Sequence, residues 1–151
     1  MSNARALNSG QVLLPTNPQD KKNINEGLVS PNNQFQLQYQ NDGNIVLYEQ
    51  LSKAPREVVQ NGGTNHKITP ATSYAIVAGN KDLDGKYNGR LVIVDNGSAF
   101  WYTDAQGPNN CNLYLNNDGA LYFALSEDGS KTIVDIAKGT FVSSEKRAKA
   151  S

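Results

Sequence analysis

The sequence has little of several residue types that build catalytic or cross-linked sites. Among its 151 residues there is one cysteine, Cys111, one histidine, His66, and one tryptophan, Trp101. A lone cysteine excludes a disulfide within the chain, so the fold has to rest on its core, and a chain of this length is large enough to bury one. No acid pair, catalytic triad or cluster of metal ligands occurs at a usable spacing. The sequence therefore predicts a protein that is not an enzyme and needs no cofactor or metal.

Net charge and long apolar runs are also missing. The 14 basic and 14 acidic residues cancel to a formal net charge of zero, which gives no electrostatic reason to expect a nucleic acid or an anionic membrane as partner. No segment approaches the length of a transmembrane helix, and the first residues are polar where a secretory signal would be apolar. We therefore expect a cytoplasmic protein with an uncharged ligand. A cleaved signal or non-classical export would leave no trace in this sequence.

Residues 40–48 carry the most informative pattern, Q-x-D-x-N-x-V-x-Y, across an Asp42-Gly43 turn. If 41–43 form a three-residue loop with Gly43 at positive φ, the flanking strands sort cleanly onto two faces. A two-residue loop would mix the faces, so the pattern favours the three-residue register. One face would hold Gln36, Gln38, Gln40, Asn44, Val46 and Tyr48, and the other Phe35, Leu37, Tyr39, Ile45 and Leu47.

Short polar side chains beside one small apolar residue suit a sugar ligand. Pyranose hydroxyls need paired donors and acceptors, and the C–H patch of the ring needs an apolar contact. An ordinary amphipathic hairpin with a polar outer face would produce part of the same pattern. All five specified positions are filled, which favours the sugar-binding interpretation. The run matches the mannose-binding signature of the monocot bulb-type lectins, and this chain resembles that family.

The resemblance covers about residues 8–134. Residues 9–13 and 28–31 are similar to the opening of bulb-lectin sequences, and residues 92–101 are similar to the strand, turn and Trp-containing strand that follow each site in the family. The resemblance implies an all-β fold of the β-prism II type, with three antiparallel four-stranded sheets in pseudo-threefold symmetry. The family's disulfide is absent, and with a single tryptophan we expect other aromatic residues to fill the axis of the prism. The candidates are Phe100, Phe123 and Tyr74.

The resemblance also assigns roles to the five motif residues. It implies that Gln40, Asp42, Asn44 and Tyr48 hydrogen-bond the 2-, 3- and 4-hydroxyls of mannose, and that Val46 packs on the ring carbons. The cleft would be open, so binding of one monosaccharide should be weak, in about the millimolar range.

Two further segments repeat the strand, loop, strand pattern, around Asn88-Gly89 and around Asp118-Gly119. Between the first and second repeats lies an insertion at about 52–70, rich in Gly, Asn, Lys and Pro, which predicts an exposed loop. The motif positions of both repeats have lost most of the polar groups, and the bulky Tyr122 is expected to fill the third cleft. We therefore expect these hairpins to serve the core and one sugar site to remain. The second repeat holds Lys86, Asn88, Arg90, Val92 and Val94, and the third holds Asn116, Asp118, Ala120, Tyr122 and Ala124.

Other signals in the sequence are weaker. Residues 80–85 begin like a calcium-binding EF-hand loop, but Leu91 stands where the bidentate carboxylate is needed, so a polar turn is favoured over a low-affinity calcium site. A solvated His66 and a buried Cys111 thiol are favoured over a nucleophilic dyad of the two. Residues 96–98 form a glycosylation sequon that matters only for an exported chain.

The sequence thus predicts a lectin domain over residues 1–142 and a polar tail over 143–151. The partners would be mannose or mannosylated glycans, with no nucleic acid and no membrane insertion. The first alternative is a lectin-fold scaffold that binds protein partners. The second is a carbohydrate-active enzyme, which would need two carboxylates across one cleft, where only Asp42 can be placed. The family precedent of C-terminal strand exchange predicts a homodimer that uses the apolar segments 132–136 and 140–142.

Overall fold

The computed structural model describes residues 3–16, 27–49, 56–60 and 67–142, the third of these segments by its backbone alone. Within these residues the chain is all-β, and its helical structure is limited to the short 3₁₀ turns Pro70–Thr72 and Leu83–Gly85, so no described helix could span a membrane. The strands are β1 (Ala4–Leu7), β2 (Val12–Leu13), β3 (Leu28–Val29), β4 (Phe35–Tyr39), β5 (Ile45–Glu49), β6 (Arg56–Gln60), β7 (Ser73–Val77), β8 (Leu91–Asp95), β9 (Ser98–Thr103), β10 (Asn112–Asn116), β11 (Leu121–Ala124), β12 (Thr132–Ile133) and β13 (Gly139–Phe141).

The described strands form three antiparallel sheets. Sheet 1 has the strand order β3-β4-β5-β6, sheet 2 has β13-β9-β8-β7-β2, and sheet 3 has β1-β10-β11-β12. The all-β prediction is confirmed. The predicted three sheets of four strands are corrected to two of four and one of five, because β2 and β13 pair with opposite edges of the same three-stranded unit.

All three sheets turn one face into a common core. Alternate residues of the paired strands point inward, as the two-residue period of a strand requires. Phe100 and Trp101 are adjacent, yet both are buried in this core, because the pairing of β8 with β9 shifts at a bulge next to them. Phe123 joins them, whereas Tyr74 lies against a separate cluster on the outer face of sheet 2, so the expectation that Tyr74 fills the axis is wrong. The core members of the three hairpins are Leu37, Tyr39, Ile45, Leu47, Ala75, Val77, Leu91, Ile93, Leu113, Leu115, Leu121 and Phe123.

A buried hydrogen-bond chain connects sheet 1 to sheet 2. The Ser73 hydroxyl donates to the Val94 carbonyl at 2.7 Å, so the Tyr39 hydroxyl donates to Ser73 Oγ at 2.6 Å. Burial raises the pKa of Tyr39 above its ordinary value. The chain satisfies a phenol inside the core and holds the first hairpin against the second.

Part of the predicted insertion is a strand. Residues 56–60 form β6, which pairs with β5, and Ile68 is buried in the core. The prediction of an exposed loop over 52–70 is therefore wrong for these residues, because β5 offers an unpaired edge that β6 completes. The glycine-rich stretch 61–66 lies outside the described residues.

Candidate functional site

The first hairpin has the predicted loop. Gln40 N donates to the Asn44 carbonyl at 2.9 Å, Gly43 N donates to the Gln40 carbonyl at 2.9 Å, and Gly43 has φ 87°. Asp42 closes the loop through its side chain, since Oδ1 accepts a hydrogen bond from Asn44 N at 3.0 Å. The three-residue loop over 41–43 is confirmed.

The predicted register is confirmed as well. Gln36 pairs with Tyr48 and Gln38 pairs with Val46 across β4 and β5, while the alternate residues of both strands enter the core. Gln40, Val46 and Tyr48 therefore share the outer face of sheet 1, with Asn44 opposite Gln40 and Asp42 at the tip of the loop. The Gln40 amide donates a hydrogen bond to the Tyr48 hydroxyl, which connects the two ends of the motif.

Exposure differs sharply among the five motif residues. Asp42 is exposed and Asn44 and Tyr48 are partly exposed, whereas Gln40 is 2% and Val46 is 1% exposed. Val46 lies in the middle of sheet 1, between Gln38 on β4 and Gln60 on β6. The expected open cleft with an accessible Val46 is therefore not seen, and the accessible surface of the motif is its loop edge.

The second repeat is built differently from the prediction. Its first strand is β7, and residues 83–87 are not a strand because Leu83, Asp84 and Gly85 all have positive φ, between 52° and 74°. Ala78 pairs with the chain at Gly89 and Arg90, so the connection between β7 and β8 is a long loop and not a three-residue turn.

Apolar side chains cover the outer face of the second repeat. Val92 and Val94 are buried in a cluster with Tyr87, whose ring centroid lies 5.1 Å from that of Tyr102. At another motif position, Arg90 donates to the carbonyls of Thr103 and Asp104 and stabilises the loop of its own chain. Side chains of the chain itself therefore fill the outer face of the second repeat. This agrees with the expectation that the second repeat serves packing.

The third hairpin repeats the loop of the first with different chemistry. Asn116 N donates to the Ala120 carbonyl and Gly119 N to the Asn116 carbonyl, both at 3.0 Å, so the register matches that at Gln40 and Asn44. Here the closing side chain is Asn116, whose Oδ1 accepts from the backbone N–H groups of Asp118 and Ala120 at 2.9 Å. The Asp118 carboxylate makes no hydrogen bond to the described residues.

A cavity of about 350 Å³ lies beside this hairpin. Tyr122 forms one wall, stacked on Tyr114 at a centroid distance of 5.2 Å, and its hydroxyl donates to the Glu127 carbonyl. Burial raises the pKa of Tyr122, and the Glu127 carboxylate adds to the rise. Tyr122 is thus a buried side chain, 2% exposed, at the wall of this cavity. The expectation that it fills the third cleft stays a prediction.

The remaining candidates have structural roles. Asp82 accepts a hydrogen bond from Gly79 N at 2.8 Å, which makes residues 80–85 a polar turn. Cys111 is fully buried, so the predicted buried thiol is confirmed, and burial raises the pKa of this thiol to about 11. His66 and the tail 143–151 lie outside the described residues. Asn96 is exposed at the turn between β8 and β9, where its side chain accepts from the Thr72 hydroxyl.

Sequence reasoning missed several of the residues around the cavity at the third hairpin. Asn3, Glu127 and Lys131 come from different parts of the chain and carry no motif. They meet because β1 pairs with β10, and the loop after β11 leads into β12, which pairs with β11. A local pattern holds no signal for such a juxtaposition.

Comparisons with known proteins leave the family open. Neither protein-family models, nor curated proteins, nor solved structures match this chain. The function therefore has to be argued from the geometry of the hairpins.

Proposed function

We propose that this protein is a carbohydrate-binding lectin of the β-prism II type that recognises mannose or mannose-containing glycans at the first hairpin. The observation that carries the proposal is the register of β4 and β5, with Gln40, Asn44, Val46 and Tyr48 on one face and Asp42 at the loop tip. The activity is recognition without catalysis.

The sugar contacts would concentrate at the accessible edge of the motif. One Asp42 oxygen closes the loop, and the other makes no hydrogen bond to the described residues, so it can accept from a sugar hydroxyl. Tyr48 would present its hydroxyl in the orientation that the Gln40 amide holds. With Val46 buried, Gln40 and Val46 support the site from behind more than they contact the sugar.

Selectivity would follow from the pairing of hydroxyls with fixed polar groups. A sugar with an equatorial 2-hydroxyl would leave the Asp42 and Asn44 groups imperfectly paired, at a cost of about 1–3 kcal/mol. A few neutral hydrogen bonds of about 0.5–1.5 kcal/mol each, set against the entropy of association, give weak binding of about millimolar strength.

The burial of Gln40 and Val46 favours one alternative, a lectin-fold interaction protein that binds protein partners and no sugar. Such a protein would keep the same hairpin for its packing alone. Mannose titration separates the two functions, because the alternative predicts no saturable binding.

The experiment is a titration of the full chain with methyl α-mannoside, followed by backbone amide NMR signals. We expect saturable binding at one site per chain, with shifts at residues 41–44. The double variant Asp42→Ala, Asn44→Ala should lose this binding and stay folded, since both side chains lie outside the core.

The matched control is Asp118→Ala, which removes a carboxylate from the same loop position of the third hairpin and should leave mannoside binding unchanged. A folded double variant that binds mannoside like the parent would refute the site. Saturation at three sites per chain would refute the single-site form of the proposal.

A further inference from the structure

The two-residue turn between β8 and β9 carries the dipeptide Asn96-Gly97. Asp95 and Ser98 are the last pair of this hairpin, so Asn96 and Gly97 alone form the connection, and both are exposed. The Asn-Gly dipeptide is chemically labile, because a glycine without Cβ lets its backbone nitrogen reach the side-chain carbonyl carbon of the preceding asparagine. The turn therefore holds a reactive pair at the surface of sheet 2.

The surroundings of this turn leave the reacting atoms free. Gly97 N donates no hydrogen bond to the described residues, so it can turn towards Asn96 Cγ without breaking one. A Cβ placed on Gly97 would meet no atom within 4 Å, so the space around the turn is open to water and to rotation of the Asn96 side chain. The turn can thus adopt the geometry of attack without displacing a packed neighbour.

A hydroxyl group contacts the oxygen on which negative charge would develop. Thr72 Oγ1 donates to Asn96 Oδ1 at 2.6 Å, a shorter contact than the 3.3 Å to its other acceptor, the Thr69 carbonyl. This hydrogen bond polarises the side-chain carbonyl and stabilises the charge that forms on Oδ1 when a nucleophile adds to Cγ. The fold places Thr72 here because Thr69 N donates to the Asp95 carboxylate at 3.1 Å, which fixes the 3₁₀ turn Pro70–Thr72 against the hairpin.

The other Asn-Gly pair of the described residues, Asn88-Gly89, is held in place by hydrogen bonds. Gly89 N donates to the Ala78 carbonyl at 2.8 Å, so the nitrogen that would attack is already engaged. Asn88 Oδ1 accepts from Asn110 N at 3.0 Å, and Asn88 Nδ2 donates to Asn109 Oδ1 at 3.1 Å. Attack at this pair has to break these hydrogen bonds, which makes it a matched internal control.

We propose that Asn96 is a site of self-modification, at which Gly97 N displaces the side-chain amide as ammonia, assisted by the Thr72 hydroxyl. Gly97 N loses its proton and bonds to Asn96 Cγ, the Cγ–Nδ2 bond breaks, and the leaving nitrogen takes up a proton. The product is a cyclic succinimide. Water then adds to either ring carbonyl, and the ring opens to aspartate or to isoaspartate. The net change is the uptake of water and the release of ammonia, with no oxidant or cofactor.

The product changes both the charge and the backbone of the turn. The new carboxylate lies one residue from that of Asp95, which is 9% exposed, so the two repel each other where little water screens them. Isoaspartate also adds a methylene group to the main chain of this short turn. The modified chain should therefore be separable by anion exchange and should unfold at a lower denaturant concentration than the parent. Such a site would record the age of the molecule.

The test is incubation of the full chain for days at mildly alkaline pH and physiological temperature, followed by proteolysis and chromatography with mass spectrometry. Peptide mapping resolves asparagine, aspartate and isoaspartate at each site, and the pair Asn61-Gly62, outside the described residues, is read in its own peptide. We expect Asn96 to convert at least about tenfold faster than Asn88, because reaction at Asn88 has to break hydrogen bonds first. In urea-denatured chain the two sites should react at similar rates.

Two variants at one position test the role of Thr72. Thr72→Val removes the hydroxyl at nearly constant shape and should slow the conversion of Asn96 about three- to tenfold. Thr72→Ser keeps the hydroxyl and should convert like the parent. Thr72 is exposed, so both variants should fold, and under denaturing conditions both should convert like the denatured parent.

Equal rates at Asn88 and Asn96 in the folded chain would overturn the proposal. So would a folded chain whose Asn96 stays unmodified while the denatured chain reacts. A Thr72→Val variant that converts as fast as the parent, or faster, would overturn the role assigned to the hydroxyl. Mannoside binding at the first hairpin enters none of these measurements.

Discussion

Single side chains decide what each hairpin presents to solvent. Asp42 and Asn116 each close a three-residue loop by accepting backbone hydrogen bonds. Because Asn116 does this in the third hairpin, the carboxylate of Asp118 makes no hydrogen bond to the described residues. At the fourth motif position both residues are buried, but Val46 is a small side chain and Tyr122 is a large one that borders a cavity. The same loop backbone is thus closed by different side chains in the two hairpins.

At the residue scale, Cys111 should make stability depend on alkaline pH. Burial raises the pKa of its thiol from 9.0 to about 11, so between these values the unfolded chain releases a proton that the folded chain keeps. The free energy of unfolding should therefore fall as pH rises through this window, with a slope that approaches about 1.4 kcal/mol per pH unit. Urea denaturation at a series of pH values measures the slope.

The control for this prediction is Cys111→Ala. The variant loses some packing at every pH, but its stability should fall less steeply between about pH 9 and 11, because the thiol no longer titrates. All other titratable groups are the same in both proteins and cancel in the comparison. Identical slopes for the two proteins would contradict the prediction.

At the scale of elements, β13 depends on the contact between a glycine and the sole tryptophan. A Cβ added at Gly139 would lie 2.3 Å from atoms of the Trp101 ring, so only glycine lets β13 approach β9 this closely. Trp101 itself is buried beneath this contact. The position of β13 is therefore set by the size of one side chain.

Gly139→Ala should displace β13 from β9. We expect a loss of stability of about 1–3 kcal/mol, as for overpacked cores, and a red shift of the Trp101 fluorescence as water reaches the indole. Because Trp101 is the only tryptophan, the tryptophan emission spectrum reports on the surroundings of this one residue.

Gly97→Ala is the matched control for this prediction. Gly97 has φ 81°, but a Cβ there meets no atom within 4 Å. This variant should lose stability through backbone strain and keep the parent emission spectrum. Unchanged emission and stability in Gly139→Ala would contradict the packing argument.

At the scale of the whole molecule, both ends of the described chain are integrated into the sheets. β1 pairs with β10, and the C-terminal strands β12 and β13 pair with β11 and β9 of the same chain. Each of these two C-terminal strands is an edge strand with an exposed apolar residue, Ile133 at 66% and Phe141 at 48% exposure. Short apolar edges of this kind are natural places for a second copy to pair.

We expect the full-length protein to be a homodimer through these edges. Two weak sites held together can raise avidity about 10²–10⁴-fold, so agglutination of mannose-bearing cells should depend on the dimer. Phe141→Lys should give a monomer by light scattering, abolish agglutination and leave the affinity for a monovalent mannoside unchanged.

Leu14→Lys serves as the control, since Leu14 is a similarly exposed apolar residue that follows β2 at the opposite edge of sheet 2. It should remain dimeric. A full-length protein that is monomeric at micromolar concentration yet agglutinates strongly would contradict the prediction and require a second mannose site on one chain.

What the sequence by itself determined are the features with short-range causes. The loop over 41–43, the register of β4 and β5 and the inward face of that hairpin follow from Gly43 and the polar and apolar alternation on either side of it. The burial of Cys111 was likewise expected from residue type.

Only the tertiary structure decided the features that depend on distant partners. The strand over 56–60 forms because β5 offers an edge, and the fifth strand of sheet 2 comes from the far end of the chain. The burial of Gln40 and Val46 and the cavity beside Tyr122 depend on how sheets and loops come together. Alternation and turn residues act over a few positions and can mark an apolar segment such as 140–142, but they do not determine which distant segment it will contact.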